Sequence, residues 1–334
     1  MKLSFVIPAY NASETINRCL DSIYALPFTE DCFEVIVVDD CSIDNTLAII
    51  NDYATRHKNM RVLHQIVNRR QGAARNRGVA EATGDYVMFV DADDAVAAGL
   101  VPAMDFAVKS GVDMLFCSTS WENESHQFLP REYDIPEHVV MTGQQFAEKY
   151  YDILCTTAWT FLWNRTFLND SSLPFIENRR MEDFDFIEQH VVKAKKIAYS
   201  SPVIYYYHFN LGSTIRSTSY DILADQVHTC YRRWIFCETL SSDFSTFVCK
   251  IDFQCRYFVN SLLSIRRLTR YTGADVWKIF NRIGKEELKY IYTKGNWSFF
   301  TQLCLSHQKI VVSLISIIHP IAELMRGLKR NFKD

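Results

Sequence analysis

Apolar residues concentrate in short runs at 3–9, 33–38, 60–65 and 86–90, and the stretches between them repeat apolar positions every three or four residues. Short apolar runs predict strands buried on both faces, and the three-to-four spacing predicts amphipathic helices. Pro8 must lie at the end of the first strand, because it cannot donate to a ladder. Asn11 or Ser13 can cap a helix running to about residue 26, and Ser42 or Asp44 starts another through about residue 56. Residues 71–82 read as a helix stopped at Thr83-Gly84. A helix over 100–109 and a strand over 113–118 follow. Regular alternation of this kind predicts an α/β fold, with a mostly parallel central sheet flanked by helices.

Beyond residue 118 the pattern loosens. Residues 119–145 carry no clear period, and 146–168 are aromatic, with Trp159, Phe161, Trp163 and Phe167. Glu182-Asp183 opens a helix to about residue 194, and 203–209 reads as a strand. Past residue 221 the spacing is helical. A chain of 334 residues exceeds one ordinary core. The expected division is 1–217, made of halves 1–118 and 119–217, followed by a mainly helical region over 218–334.

Polar residues gather where the predicted strands end: Tyr10-Asn11, Asp39-Asp40, and Asp91, Asp93 and Asp94 after the run at 86–90. In parallel sheets, ligands bind beyond the carboxyl ends of the strands, so several polar ends point to one shared pocket. Three clustered carboxylates repel one another unless a cation joins them. A hard divalent ion held through carboxylate oxygens and phosphate fits that need. Aspartates capping the next helix are the other reading.

These residues, taken in order, resemble the family 2 glycosyltransferases, the inverting group with the GT-A fold. The resemblance covers roughly residues 3–217 and rests on Val6-Ile7-Pro8-Ala9-Tyr10-Asn11, Val37-Val38-Asp39-Asp40-Cys41-Ser42 with Asp44-Asn45-Thr46, Gly72-Ala73-Ala74-Arg75-Asn76-Arg77-Gly78, Val90-Asp91-Ala92-Asp93-Asp94, and Glu182-Asp183. Cys41 departs from the glycine usual at its place.

The resemblance implies a nucleotide-sugar donor, with a UDP-sugar expected, and a glycan or lipid-linked acceptor in bacterial cell-surface polysaccharide synthesis. It gives Pro8, Tyr10, Asn11 and Asp40 to the donor nucleoside. Tyr10 would stack on the base and Asp40 would accept from a uracil N–H, against a packed aromatic and a helix cap. Arg70 would reach the base or diphosphate, or is a solvated charge. Arg75 has a structural or a catalytic role. Asp91 and Ala92 fall on the ribose or donor sugar, and Asp93 on a Mg²⁺ or Mn²⁺ ion bridging to the diphosphate. Asp94 would cap the following helix. Asp183 matches the catalytic base, with Glu182 orienting it, and the alternative is an acidic first turn without chemistry. His208 and Gly212-Ser213-Thr214 match a loop over the diphosphate. Trp159 packs against acceptor sugar or in the core.

Composition narrows the classes. At 48% apolar and 22% charged the chain is globular rather than disordered. Its 10 cysteines are scattered without a CxxC pair, and Met1-Lys2 leads straight into the first strand with no secretory pattern. Together these predict reduced thiols in the cytoplasm. A net charge of −3 hides an asymmetry: residues 249–334 hold 15 Lys and Arg against 6 Asp and Glu, leaving 21 against 33 in the first 248. A net of +9 at the C-terminus predicts an anionic partner, the inner membrane surface ahead of nucleic acid. Apolar residues at 311, 314, 318, 321, 325 and 328, flanked by Lys309, Arg326, Lys329, Arg330 and Lys333, form a helical stripe too short to span a bilayer and interrupted at His319-Pro320; it lies in the membrane interface or packs on the catalytic domain. Two other functions remain in play. A nucleotidyltransferase would need a glycine-rich phosphate loop where this chain has Pro8-Ala9-Tyr10-Asn11-Ala12. A sugar-nucleotide-binding protein without catalysis would not need Asp93 and Asp183.

Overall fold

The computed structural model describes residues 2–153, 157–209, 219–295 and 297–331, with side chains omitted at residue 321 and from 324 onward. The chain divides into two compact units, Met1–Leu211 and Gly212–Asp334.

The first unit is built on nine strands: β1 (Leu3–Ala9), β2 (Phe33–Asp39), β3 (Met60–His64), β4 (Tyr86–Phe89), β5 (Ala95–Val96), β6 (Met114–Glu122), β7 (Phe128–Pro130), β8 (Phe161–Asn164) and β9 (Ile197–Tyr207). They form one sheet in the order β3-β2-β1-β4-β8-β6-β9-β5, with β7 paired to β6. The first four strands are parallel to one another. In the second half β8 runs antiparallel between β4 and β6, while β6 and β9 are parallel. Every residue of β1, β2 and β4 is buried, as continuous apolar strands covered on both faces require.

Helices α1 (Ile16–Tyr24), α2 (Thr46–Arg56), α3 (Arg70–Glu81), α4 (Leu100–Ser110), α5 (Gly143–Tyr150), α6 (Arg165–Ser171) and α7 (Glu182–Lys193) accompany the sheet. Helix α1 buries Ile16, Cys19, Leu20 and Ile23, one face at helical spacing. Helix α3 lies close against β1 because residue 78 has no side chain: a Cβ on Gly78 would stand 2.3 Å from Val6 Cγ1.

Several local expectations shift. Pro8 lies past the last residue that β1 pairs with β4, Val6. Neither Asn11 nor Ser13 caps α1, which follows Thr15; Asn11 instead spends its side chain on the neighbouring loop. Strand β9 starts at Ile197, six residues before the expected start at 203, because Ser200-Ser201-Pro202 interrupts the apolar pattern without interrupting the strand. The register on β6 shifts there, and such an irregularity accommodates a proline.

The second unit holds α8 (Tyr220–Cys237), α9 (Ser245–Leu262), α10 (Ile265–Leu268), α11 (Gly273–Ile283), α12 (Lys285–Thr293), α13 (Phe299–Ser306) and α14 (Gln308–Asn331). Helix α14 continues through Pro320, where the apolar stripe is interrupted but the helix is not. Proline forfeits one backbone bond there, while close packing on α11 holds the helix: a Cβ on Gly273 would meet Ser316 Oγ at 1.8 Å, and His319 Nδ1 lies 2.9 Å from the Thr269 carbonyl. Val311 and Ile315 are buried, whereas Ile310, Leu314 and Ile317 are 49%, 37% and 67% exposed. The remaining stripe positions 321, 325 and 328, and the basic side chains beyond 324, lie outside the described residues. Among the described residues no single helix is long and apolar enough to cross a membrane; α13 and the first part of α14, bent by 119°, pass that test only as a pair.

Candidate active site

The strand order puts β2, β1 and β4 side by side, so the polar ends of all three open on the same edge. At the β1 and β2 ends, three loops are tied together. The Asn11 N–H donates to Ser42 Oγ at 3.0 Å and the Ile43 N–H to Asn11 Oδ1 at 2.9 Å. Asp40 is buried, and its Oδ1 accepts from Gln65 Nε2 at 2.9 Å and from the Arg69 N–H at 2.8 Å. Burial pushes this carboxyl up, and the Arg69 and Arg70 N–H groups pull it back. The structure thus brings Arg70 beside Asp40, with Arg70 at φ 67° as α3 begins. Tyr10 is 48% exposed at the end of β1, so it is not a packed core aromatic. Cys41, at φ 63°, occupies the left-handed region where glycine is cheapest, which explains why glycine is usual at its place and makes the cysteine a strained substitute.

The acidic loop after β4 is held by β9. Asp94 does not cap α4, which follows Gly99. Its Oδ2 instead accepts from Tyr205 Oη at 2.7 Å and its Oδ1 from the His208 N–H at 2.8 Å. Burial, then Asp93 and Asp91, push the Asp94 carboxyl well above the ordinary range. Tyr205 Oη also accepts from the Asp91 N–H at 3.0 Å, and its ring stacks on Trp159 at 4.4 Å. Trp159, 2% exposed, is therefore a core residue that braces this loop. Ala92 is buried and Asp93 partly exposed, with the Arg18 guanidinium on the Asp93 carbonyl. His208 Nδ1 lies 3.2 Å from Glu122 Oε2. Burial, then Arg18, lower the His208 pKa, against Glu122. Gly212-Ser213-Thr214 lies outside the described residues.

Across from the loop, Glu182 and Asp183 occupy the first turn of α7, where unpaired N–H groups favour anions. The segment before α7 is clamped to α3: Asn76 Nδ2 donates to the Phe175 carbonyl at 2.9 Å, and Asn76 Oδ1 accepts the Phe175 N–H at 2.8 Å. That clamp sets Arg75, the preceding residue on α3, against α7. Arg75 Nη1 contacts Glu182 Oε1 and Asp183 Oδ1, each at 2.7 Å, and Nη2 contacts Asp91 Oδ1 at 2.8 Å. Burial, then Asp183, raise the Glu182 carboxyl to about 7, with Arg75 opposing. Burial likewise raises Asp183, and Arg75 pulls it back. Arg75 keeps its charge, because the three carboxylates outweigh the cost of burying it.

Reasoning from sequence missed Gln65, Tyr205, Arg18 and Glu122. Glu122 was within reach of the rule that found Asp40, an acid at a strand end, but the expected strand stopped at 118. Among the described residues no three His, Cys, Asp or Glu side chains gather to hold a metal by themselves. An ion fits this site only where phosphate oxygens complete its coordination, which is a usual arrangement for Mg²⁺.

The glycosyl transferase family 2 model matches residues 4–171. The chain is 29% identical over 222 residues to an uncharacterized glycosyltransferase, YibD, of Escherichia coli K12, covering 64% of this chain and 63% of that protein. It is 31% identical over 216 residues to a poly(ribitol-phosphate) beta-glucosyltransferase of Bacillus spizizenii, covering 62% of this chain and 32% of that protein. The chain thus spans less than two thirds of the length of these relatives. The crystal structure of Staphylococcus aureus TarS 1-349 in complex with UDP-GlcNAc shares the fold, with a TM-score of 0.64 at 21% identity, covering 96% of this chain and 92% of that one.

Proposed function

This chain belongs to glycosyl transferase family 2, and from that premise we propose that it moves a sugar, with inversion, from a UDP-sugar to a glycan or lipid-linked acceptor of a bacterial surface polysaccharide. The observation that carries the reading is the meeting of two groups at one sheet edge: Asp40 with the Arg69-Arg70 turn, and Asp91 with Asp183 through Arg75. Asp40 Oδ1 is already committed to Gln65 and Arg69. That leaves the carboxylate better suited to the single imide N–H of uracil than to the paired donors of guanine. Tyr10 stacks on the base, Pro8 and Asn11 shape the floor beneath it, and Arg70 reaches the diphosphate. Asp91 and Ala92 flank the ribose and donor sugar, and His208 faces the phosphates.

Asp183 takes the proton of the acceptor hydroxyl as the new bond forms at the anomeric carbon. The bond to the diphosphate breaks from the opposite face, and its electron pair leaves with the UDP. Glu182 shares the charge of that turn. Asp93 would hold Mg²⁺ or Mn²⁺, which when bound neutralises charge on the departing diphosphate.

The test is turnover of UDP-, GDP- and dTDP-sugars with and without Mn²⁺. Asp93→Ala should remove the Mn²⁺-dependent stabilisation by UDP, about 2.7 kcal/mol at 100-fold excess over Kd. A metal-dependent shift unchanged in the variant would sink the Asp93 assignment.

The partner surface proposed for the second unit is the cytoplasmic face of an anionic membrane. Ile310, Leu314 and Ile317 repeat at helical spacing on α14 and are exposed, beside Lys309. Vesicle binding should weaken with salt, since attraction is screened over roughly 10 Å at 0.1 M. Equal binding by a chain ending at Gln308 would rule this out.

A further inference from the structure

Arg75 is a fully buried cation that meets three carboxylates and balances one of them. Its side chain is 1% exposed, against 6% for Glu182, 16% for Asp183 and 17% for Asp91. The guanidinium lies 5.3 Å from the centre of the Phe175 ring, and that ring stacks on Phe186 of α7 at 3.6 Å. Its Nε is buried without a hydrogen-bond partner. A fold seeking stability alone would match each buried charge or leave it out, since an uncompensated one costs several kcal/mol. Here two of the three carboxylates exceed what one guanidinium can neutralise.

We propose that Arg75 is the positioning residue of the transfer reaction, orienting Asp183 as the base and joining it to Asp91 on the donor side. The inference rests on the glycosyltransferase reading above. Asp183 is held at both oxygens: Oδ1 by Arg75 Nη1, and Oδ2 by the Ala158 N–H at 3.3 Å. A carboxylate has about four lone-pair positions, so Oδ2 still has room for the acceptor hydroxyl. The groups facing Asp183 are Arg75 from α3, Asp91 from the end of β4 and Glu182 from its own helix. Of these charged groups Arg75 alone favours the ionised base, helped by the neutral Ala158 N–H. Only a planar fork reaches three carboxylates from two nitrogens, so lysine should keep the charge and lose the orientation.

The experiment compares Arg75→Gln, Arg75→Lys, Asp183→Asn and the Arg75→Gln/Asp183→Asn pair. Arg75→Gln should lower kcat at neutral pH by about 10²-fold or more, in the range for a misplaced general base. Its acid limb should move up by about one pH unit, and donor KM should change little. In the Asp183→Asn background the same substitution should add almost no loss, because the group it serves is gone. Arg75→Lys should return the acid limb towards wild type without restoring kcat. An unmoved acid limb, or losses that multiply in the pair, would overturn the proposal. Absence of transfer by the wild type would instead refute the glycosyltransferase reading. The electrostatic claim is then judged by melting from pH 5 to 8. Without Arg75 the pKa of folded Asp183 is higher, so Arg75→Gln should lose stability as pH rises through it. If Arg75→Gln does not fold, Arg75→Lys is melted against Arg75→Lys/Asp183→Asn, and a deficit that does not shrink when the carboxylate is removed counts against the claim.

Discussion

The two units handle unfavourable interactions differently. In the first, eight non-glycine residues among those described have positive φ, and four of them, Asn11, Cys41, Arg70 and Met181, stand at the strand ends or the α7 entry that build the site, while His126, His138, Ser172 and Asn178 lie in other loops and turns. In the second, the positive-φ residues among those described are glycines, Gly284 and Gly295. Buried charge follows the same division. Asp225 on α8 is met in bidentate fashion by Arg282 of α11, at 2.9 and 3.1 Å. In the first unit, Arg75 faces three carboxylates. Strain and unmatched charge persist only where surrounding structure enforces them, and they cluster at functional sites. On this comparison the helical unit is built for cohesion, and the strand ends of the first unit give up stability for chemistry.

The largest expected effect comes from Asp183→Asn, which keeps the shape and removes the basicity. We expect kcat to fall by roughly 10²–10⁴-fold, with donor KM nearly unchanged. The same change removes one unmatched negative charge, so thermal stability should hold or rise, as in other trades of stability against activity. A variant that transfers at a near wild-type rate would break the comparison, because the unmatched charge would then serve no chemistry.

How far the sequence revealed the site depends on the range of the interactions. Strands β1, β2 and β4 were legible because both of their faces are buried and the apolar run is local. The acids at their ends were legible for the same reason. The partners of those acids were not: Asp94 finds Tyr205 111 residues away, and Arg75 finds Asp183 108 residues away. No periodicity encodes such pairs, which arise from strand order. Strand β8 was hidden because only four residues of an aromatic segment form it, antiparallel, between β4 and β6. In α14 the gap in the apolar stripe at His319-Pro320 was legible, whereas the packing on α11 that holds the helix through the proline was not.

The second unit tests the other half of the comparison. Asp225→Ala removes the bidentate partner of Arg282 and leaves its longer ion pair to the partly exposed Asp221, at 3.8 Å. Breaking a buried pair costs about 3 kcal/mol at the lower end of its range, and the lower end applies because Arg282 is 28% exposed. Denaturant unfolding should show that loss, with kcat unchanged in the protein that remains folded. A fall in kcat with no loss of stability would mean that the matched charge, too, serves the reaction.

The smallest expected effect isolates strain from charge. Cys41 sits at φ 63° between Asp40 and Ser42, in a loop whose other contacts are already made. A β-carbon in the left-handed region costs about 1–2 kcal/mol relative to glycine. Glycine returns about 0.5–1 kcal/mol of that through its freer unfolded chain. The thiol also loses a weak contact to the Ile66 carbonyl at 3.6 Å, long for a hydrogen bond even with sulfur. The balance favours Cys41→Gly by about 0.5–1 kcal/mol, a rise of roughly 1–2 °C in Tm for a protein of this size. Affinity for UDP should not change, because Asp40 is fixed by Gln65 and Arg69 rather than by residue 41. If stability rises and UDP binding weakens, the strained thiol belongs to the donor site, and strain and function coincide there as they do around Arg75. If stability falls instead, the positive φ is not a cost that this loop carries, and backbone strain drops out of the contrast between the two units, leaving unmatched charge alone.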